Sequence, residues 1–318
     1  MNWDWQQAFL DATVNSNLIQ EYPISGKFAS LFLKKIIQSL EPNREVHDDF
    51  YSQLCRSMNY LNKDGFSYRH YVIGNDTNKI ITIKETRNMV VNGTTGLKTW
   101  EAALMLSDWA LCNQNIFLNK NVLELGSGVG FTGITIGKLC GIKSLMLTDC
   151  HNDVLMTICV MMLDWNAIED LPDGIVPDIL IGADIVYDPS ILKPLSKVIH
   201  TFCAQNKDLE VYIASVIRNE ETFNGFLESL GEHGSYEIIQ PKNSYFCSKA
   251  MNKRDYEIEK NKDQHVKLEG YLKMFGSKRK FYQKKIKCHC HACVNVFLPS
   301  FKLYNNITIF QRVLCNSI

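Results

Sequence analysis

Short apolar segments alternate with amphipathic ones between residues 121 and 240, and this alternation restricts the fold more than any other feature of the 318-residue chain. The apolar segments have the length and composition of buried strands, whereas those between them repeat apolar residues at helical spacing. Parallel strands need crossover connections, so the succession predicts an α/β fold with a parallel sheet covered by helices on both faces. The predicted strands are NVLEL (121 to 125), SLMLTDC (144 to 150), PDILIGADIVYD (177 to 188), EVYIASV (210 to 216) and YEIIQ (236 to 240).

Two other regions flank the predicted α/β domain, which spans residues 76–247. Residues 1–75 repeat apolar residues at helical spacing, with Pro42 expected to end one helix, and form a predicted helical module. This module either packs on the following domain or recognises a partner. The α/β domain begins with the strand-like KIITIKET, which alternates from Ile80, and the helix-like TWEAALMLSDWAL, in which Thr99 is the expected N-cap.

The remaining residues, 248–318, form a basic, atypical tail in which we expect little order. Residues 249–318 hold 15 basic and 5 acidic side chains although the complete chain is neutral, so residues 1–248 carry ten more acidic than basic side chains. The neutral total gives no reason to expect binding to nucleic acid or to a membrane. The acidic body either favours a basic partner surface or promotes solubility.

The motif CHCHAC in this tail supplies residue types that bind zinc, but their spacing disfavours a structural site. Such sites usually join two separated pairs of ligands, and these residues all lie within six positions. We therefore expect no bound metal. The residues concerned are Cys288, His289, Cys290, His291 and Cys293.

Cysteine usage and the N-terminal sequence indicate a reducing environment. The eleven cysteines show no disulfide-framework spacing, and MNWDWQQAFLDATVNSN lacks the basic start and apolar run of a signal peptide. No stretch approaches the run of about 20 apolar residues that a transmembrane helix requires. We therefore expect a cytoplasmic protein, and we expect it to be a monomer. The hydrophobic content of 46% is ample for a buried core.

A glycine cluster, LELGSGVGFTG, follows the first predicted parallel strand. Gly126, Gly128 and Gly130 allow the main chain to turn tightly and to approach a ligand that a Cβ would keep away. The spacing weakens a dinucleotide interpretation, which wants a third glycine where Phe131 stands, and no Gly-Lys-Ser/Thr of a phosphate-binding loop follows. Glu124 would place a carboxylate near the cofactor, where a cationic or hydroxyl-bearing ligand fits better than a diphosphate.

An acidic residue ends the second parallel strand at a separation typical of nucleoside sites. Asp149 lies 23 residues after Gly126, about the spacing at which a carboxylate reaches the ribose hydroxyls. Its alternative role is to cap a helix that begins at HNDVL. Because the loop and the acid agree, we expect an adenosine ligand without a phosphate chain, and S-adenosylmethionine fits this description.

The motifs GTTGLKTWEAA, VLELGSGVGFTGI, LTDCHNDVL, LDW and DILIGADIVYDP occur in this order. Together they resemble the seven-β-strand (class I) protein lysine methyltransferases, in particular the elongation factor 2 lysine methyltransferase family, over roughly residues 1–247. The resemblance implies a Rossmann-like seven-stranded methyltransferase sheet, preceded by a small helical N-terminal module. It also implies methyl transfer from S-adenosylmethionine to a protein lysine, with elongation factor 2 as the protein substrate.

The resemblance further implies which residues form the site. Asp184 and Tyr187 lie three positions apart where the fourth strand emerges, so that a carboxylate and a phenol would line the lysine channel as catalytic residues. Their alternative roles are structural, since Asp184 would cap the following helix and Tyr187 would pack under it. The implied cofactor contacts are Trp100 as a cover, Gly126, Ser127 and Gly128 along the methionine portion, Asp149 at the ribose, Trp165 at the adenine and Ala183 on the fourth strand.

The chain departs from the family pattern in two places. Only fourteen residues separate Asp149 from Asp164, too few for the helix, loop and third strand that the family fits there. Either VLMTICVMM is the helix and the strand is missing, or TICVMMLDW is the strand and the helix is reduced to a turn. After NSYFC the expected antiparallel hairpin gives way to the basic tail, and whether ITIF (307 to 310) replaces the final strand is open.

Two other functions remain compatible with the sequence. One is a catalytically impaired binding module, because the shortened segment touches the adenine side of the site. The other is methylation of a small molecule or a nucleic acid, since the fold alone does not name the substrate. The neutral charge and the lack of an NPPY-like motif after the fourth strand disfavour a nucleobase amine.

Overall fold

A computed structural model of the chain shows two compact units. They are Met1–Tyr71 with Thr82–Lys98, and Val72–Ile81 with Thr99–Ile318. The three-part division predicted from the sequence, with boundaries near 75 and 247, stays a prediction. The structure describes residues 3–59, 65–74, 79–158 and 160–232, and the backbone of 236–239, 281–288 and 293–299.

The described part of the first unit contains four helices, and apolar side chains of the first, third and fourth share one core. The four helices are α1 (Trp3–Ala12), α2 (Asn17–Glu21), α3 (Gly26–Leu40) and α4 (Asp48–Asn59). The Ser25 hydroxyl caps α3 by accepting a hydrogen bond from the Phe28 N–H at 3.4 Å, and α3 ends two residues before Pro42. Side chains of three helices meet at the centre of this core. They are Leu10, Leu33 and Phe50, each 0% exposed.

Two strands after α4 form a separate two-stranded sheet, β1 (Phe66–Val72) and β2 (Ile80–Thr86). β2 confirms the strand predicted in KIITIKET. β1 lies in a stretch where only helices were predicted. One of its buried positions is His70, whose ring nitrogens lie 2.9 Å from Thr82 Oγ1 and 3.0 Å from the Tyr22 carbonyl oxygen. A buried polar residue interrupts the apolar alternation that signals a strand.

The second unit is built on one sheet. Its strands are β3 (Asn121–Leu125), β4 (Ser144–Asp149), β5 (Met161–Met162), β6 (Ile179–Ala183), β7 (Glu210–Ala214), β8 (Tyr236–Ile239), β9 (Phe281–Cys288) and β10 (Cys293–Pro299). They pair in the order β5-β4-β3-β6-β7-β10-β9-β8. The first five are parallel, which confirms the predicted parallel sheet for four of the five predicted strands. The fifth, YEIIQ (236 to 240), corresponds to β8, which pairs antiparallel with β9, so its prediction as a parallel strand was wrong. The described part of the sheet has eight strands, so the seven implied by the resemblance are not confirmed.

Helices cover both faces of the parallel strands. They are α5 (Glu101–Cys112), α6 (Gln114–Phe117), α7 (Phe131–Leu139), α8 (Asn152–Leu155), α9 (Leu192–Gln205) and α10 (Glu220–Glu232), with 3₁₀ helices at Trp165–Asp170 and Pro189–Ile191. Alternate residues of β7 belong to different cores: Val211 packs with Phe202 of α9, whereas Tyr212 packs with Leu106 of α5. The N-cap of α5 is Trp100, so the prediction of Thr99 was wrong by one residue.

The short segment after Asp149 keeps both expected elements in reduced form. α8 has four residues and β5 has two, and β5 pairs with β4 through Thr148 to Met161 and Asp149 to Met162. The Leu163 N–H extends this pairing by donating to the Asp149 carbonyl at 2.9 Å. Of the two alternatives drawn from the sequence, a helix reduced to one turn is therefore the nearer one, with a much shorter strand than predicted.

The basic tail contributes two strands to the sheet, which the expectation of little order did not anticipate. β10 pairs with β7 in parallel and with β9 antiparallel, and β9 pairs with β8 antiparallel. ITIF (307 to 310) lies outside the described residues, as do His289, Cys290 and His291.

Neither a metal cluster nor a membrane-spanning helix occurs in the described part of the chain. No group of three or more His, Cys, Asp and Glu side chains there has the arrangement of a metal site. No helix there combines the length and apolar character needed to cross a membrane. That the CHCHAC motif holds no zinc stays a prediction.

Candidate cofactor and lysine site

The glycine loop joins the end of β3 to the start of α7 at the carboxyl edge of the sheet. Gly126, Gly128 and Gly130 have φ values of 59°, 52° and 77°, in the left-handed region that favours glycine. The Ser127 N–H donates to the Thr148 carbonyl at 2.9 Å and ties the loop to β4. The Ser127 hydroxyl is buried and has no hydrogen-bond partner among the described residues. The loop therefore holds one unsatisfied polar atom.

Asp149 ends β4 directly beside this loop. Its Oδ2 accepts a hydrogen bond from the Gly128 N–H at 3.0 Å, and its Oδ1 accepts from the N–H groups of Cys150 and His151 at 2.9 and 3.1 Å. A carboxylate has about four acceptor positions, so about one remains for a ligand. The cap of α8 is His151, whose Nδ1 accepts from the Asp153 N–H, so the alternative role of Asp149 as a helix cap is wrong.

Glu124 lies beneath the loop. It is 1% exposed, and its carboxylate accepts a hydrogen bond from the Gly133 N–H of α7 at 2.9 Å. Burial raises the pKa of Glu124 to about 8, although the hydrogen bonds from Gly133 and Thr132 oppose this shift. Glu124 thus supports the start of α7 from inside, and its predicted position near the cofactor stays a prediction.

The protein's own side chains occupy part of the space above the loop. A Cβ on Gly126 would lie 2.9 Å from Ile185 Cγ2 and 3.4 Å from Trp165 Cζ2. A Cβ on Gly130 would lie 2.6 Å from Ile158 Cδ1. The edge of the Trp165 indole, predicted at the adenine, therefore packs on the loop itself. The short connection between β4 and the 3₁₀ helix brings both Ile158 and Trp165 to this position.

Asp184 follows β6 and has a φ of 58°, so the strand ends at Ala183 and does not continue to 188 as predicted. A residue with a Cβ in this conformation costs about 1–2 kcal/mol, which its neighbours must offset. The Asp184 N–H donates to the Ala214 carbonyl at 2.7 Å, and Oδ1 accepts from the Val216 N–H at 3.2 Å. Arg218 donates to both carboxylate oxygens, at 2.9 Å each. The carboxylate is thereby fixed, and its charge is compensated.

Arg218 also connects Asp184 with Trp100. The guanidinium carbon lies 5.3 Å from the centre of the Trp100 ring, which is within the range of a cation–π contact. Hydrogen bonding to Asp184 raises the pKa of Arg218, and the charge of Glu101 adds to the shift. Arg218 was not among the site residues predicted from the sequence. The signal that would have found it is a cation placed just after the carboxyl end of a parallel strand, where ligands of such sheets bind.

The structure excludes the alternative roles predicted for Asp184 and Tyr187, namely a helix cap and a residue packed under the following helix. Tyr187 is 52% exposed, so it does not pack under the following helix. Asp188 caps the 3₁₀ helix Pro189–Ile191 by accepting from the Ser190 N–H at 2.9 Å, and the hydrogen bonds from Ser190 lower the pKa of Asp188. Asp184 is therefore not the cap. A role of Asp184 and Tyr187 toward a substrate stays a prediction.

These features meet at one edge of the sheet. β3 lies between β4 and β6, so the strand order reverses at β3. Asp149 and Ala183 end β4 and β6, and the glycine loop and Asp184 directly follow β3 and β6. Such a switch point is where doubly wound α/β proteins bind their ligands. The fold and site thus define a doubly wound α/β protein with a glycine loop and a carboxylate at the switch point of its parallel strands.

Comparison with known proteins identifies the family. A family model described as lysine methyltransferase matches residues 75–233. Protein-lysine N-methyltransferase EEF2KMT of Homo sapiens is 31% identical over 262 residues, covering 73% of this chain and 78% of that protein. The Mus musculus protein of the same name is 30% identical, covering 72% and 76%, and EFM3 of Saccharomyces cerevisiae is 26% identical, covering 65% and 69%. This chain belongs to the lysine methyltransferase family, which confirms the resemblance drawn from its motifs.

Replacement of Gly126 by alanine is expected to destabilise the protein more than replacement of Gly174. Gly174 has a φ of 84°, and no atom of the described residues lies within 4 Å of the place that an added methyl group would take. Gly174→Ala therefore reports backbone strain alone, about 1–2 kcal/mol. At Gly126 the methyl also meets Ile185 Cγ2 at 2.9 Å, which adds about 1–3 kcal/mol. Denaturant unfolding measures both losses, and equal losses would show that the loop is not packed as described.

Glu124→Gln is expected to reduce the pH dependence of stability. The folded carboxyl loses its proton near pH 8 and the unfolded one near its usual 4.5, so between these values the folded state binds more protons. The free energy of unfolding therefore falls as pH rises from about 4.5 to about 8, by at most about 1.4 kcal/mol per pH unit, and is level above. Urea unfolding across this range should show a shallower fall for Glu124→Gln. Identical slopes in both proteins would exclude Glu124 as the cause.

Proposed function

We propose that this protein transfers methyl groups from S-adenosylmethionine to a lysine side chain of another protein. The observation that carries the proposal is the 3.0 Å hydrogen bond between Asp149 Oδ2 and the Gly128 N–H, at the carboxyl ends of adjacent strands in a member of the lysine methyltransferase family. A carboxylate beside a main chain without side chains suits a nucleoside that carries no phosphate. The site and the family thus point to the same ligand.

The residues present suit S-adenosylmethionine. Asp149 keeps about one acceptor position for a ribose hydroxyl. The buried Ser127 hydroxyl makes no hydrogen bond to the described residues, so it could make one to the cofactor. The neighbouring Gly128 has no Cβ that would keep the cofactor away. Trp100 would cover the bound molecule and Ala183 would contact it from β6. When bound, S-adenosylmethionine supplies a methyl group activated by a positively charged sulfur.

The acceptor lysine must be neutral in order to attack, whereas free lysine has a pKa of about 10.4. Partial desolvation and nearby positive charge favour loss of its proton. We assign Asp184 and Tyr187 as the residues that orient the neutral amine. Asp184 already accepts three hydrogen bonds, so about one acceptor position remains for the amine, and the half-exposed Tyr187 would offer its phenol oxygen. Two such contacts would aim the nitrogen lone pair at the methyl group.

We propose elongation factor 2 as the protein substrate. The enzyme would act on it in the cytoplasm and as a monomer. The names of the EEF2KMT relatives point to this factor, and those relatives are about 30% identical to this chain. The excess of ten acidic side chains in residues 1–248 suits a substrate with a basic surface. The free thiols of Cys55, Cys140 and Cys150 suit a reducing compartment.

A second candidate function is a binding module with impaired catalysis, and one observation favours it. Trp165 and Ile158 pack on the glycine loop, so close that a Cβ on Gly126 or Gly130 would meet them. A cofactor bound along the loop would have to displace the indole edge. If the indole does not move, the protein engages a partner without holding the cofactor.

S-adenosylmethionine is expected to raise the melting temperature of the protein, because a ligand that binds only the folded state stabilises it. Asp149→Asn should weaken binding about 10- to 100-fold, since losing a hydrogen bond to a charged group costs about 1.5–3 kcal/mol. Asp173→Asn, at an exposed position, is the matched control. Calorimetric titration measures each affinity. A wild-type protein that binds no S-adenosylmethionine would favour the impaired module.

Purified elongation factor 2 is expected to take up label on lysine when it is incubated with this protein and methyl-labelled S-adenosylmethionine. Asp184→Ala should lower the rate by about 100-fold, because the amine is then misplaced, while cofactor binding persists. Asp173→Ala serves as the control. Full activity of Asp184→Ala would contradict its assignment, and labelling of RNA alone in a cell extract would contradict a protein substrate.

A further inference from the structure

We propose that Arg218 is a positioning residue of the methyl-transfer site, which compensates the Asp184 carboxylate so that this carboxylate does not retain the substrate lysine as an ammonium ion. The inference rests on the function proposed above and adds a residue to it. Arg218 acts through the two side chains that it contacts, Asp184 and Trp100.

The contact with Asp184 has the geometry that only a guanidinium provides. Two N–H groups of Arg218 meet the two carboxylate oxygens at 2.9 Å each, in the paired arrangement that fixes both distance and plane. The same planar group lies over the Trp100 ring at 5.3 Å. Lysine carries one point charge on a flexible stem and cannot make both contacts in this way.

Arg218 lies where three segments of the second unit come together. Asp184 follows β6, Arg218 follows β7, and Trp100 precedes α5. The Asp184 side chain is 5% exposed, whereas that of Arg218 is 47% exposed, so the carboxylate is buried and the side chain that pairs with it is partly exposed. One cation thus holds the predicted acceptor of the lysine and the predicted cover of the cofactor in a fixed relation.

The charge of Arg218 has a consequence for the substrate. A carboxylate favours the charged form of a neighbouring amine, and a lysine held as an ammonium ion has no lone pair with which to attack. Among the described residues, the charged groups that shift the pKa of Arg218 are Asp184 and Glu101, both acidic. Without Arg218 the substrate lysine would therefore meet a buried and uncompensated carboxylate, which would keep its proton in place.

The test measures kcat and KM for methylation of purified elongation factor 2 across a range of pH. Arg218→Gln should lower kcat about tenfold or more near neutral pH and move the midpoint of the pH profile up by about one unit. Arg218→Lys, which keeps the charge but not the fork, should lower kcat with the midpoint unchanged. The double variant Asp184→Asn, Arg218→Gln should return the midpoint to the wild-type value, because no uncompensated carboxylate remains. Lys193→Gln, at an exposed position on α9, is the matched control for loss of one positive charge.

The outcomes separate this inference from the proposed function. If Arg218→Gln loses activity with an unshifted midpoint, or if the double variant keeps the shift, Arg218 has a structural role only and the inference is wrong. If the wild-type protein methylates no lysine, the proposed function fails, and the inference falls with it. The inference is supported if Arg218→Gln shifts the midpoint and the double variant restores the wild-type value, because loss of folding would not produce this pattern.

Discussion

The hydrogen bond between the Asp149 carboxylate and the Gly128 N–H is the interaction on which the rest of the site depends. It joins the ends of β3 and β4, so that the glycine loop and the acid form one structure. The bond requires the parallel pairing of these strands and the left-handed backbone of the loop, which glycine adopts without strain. β5, although only two residues long, adds to this by pairing with the last two residues of β4.

Two buried carboxylates near this edge are stabilised in different ways. Glu124 is 1% exposed and no cation is among the described groups that shift its pKa, so burial raises this pKa to about 8 and keeps the carboxyl largely protonated at neutral pH. Asp184 is 8% exposed and is paired with Arg218 through two hydrogen bonds. A neutral carboxyl suits a position that supports a helix from inside, whereas a paired carboxylate on a strained backbone is typical of a functional position.

The shortened segment after β4 shows which parts of the fold this protein retains. Strand pairing survives in β5, while the covering helix α8 is reduced to one turn. Trp165 and Ile158 pack on the glycine loop. Whether the indole moves when a ligand arrives distinguishes an enzyme from a binding module, and this depends on the packing of a few side chains and not on the fold.

The sequence alone determined the succession of β3, β4, β6 and β7 along the chain with the helices between them, the glycine loop, the acid at 149 and the family, because periodicity and turn residues are local properties of the chain. Tertiary structure decided the side-chain partners. Arg218 meets Asp184 across 34 residues, and no periodic pattern announces a pair of charges that far apart. Three other features also depend on which segments meet in space: the burial of Glu124, the place of Trp165 and the strand that contains His70. Burying a polar group costs free energy unless a distant partner forms a hydrogen bond with it or a shifted pKa leaves it neutral.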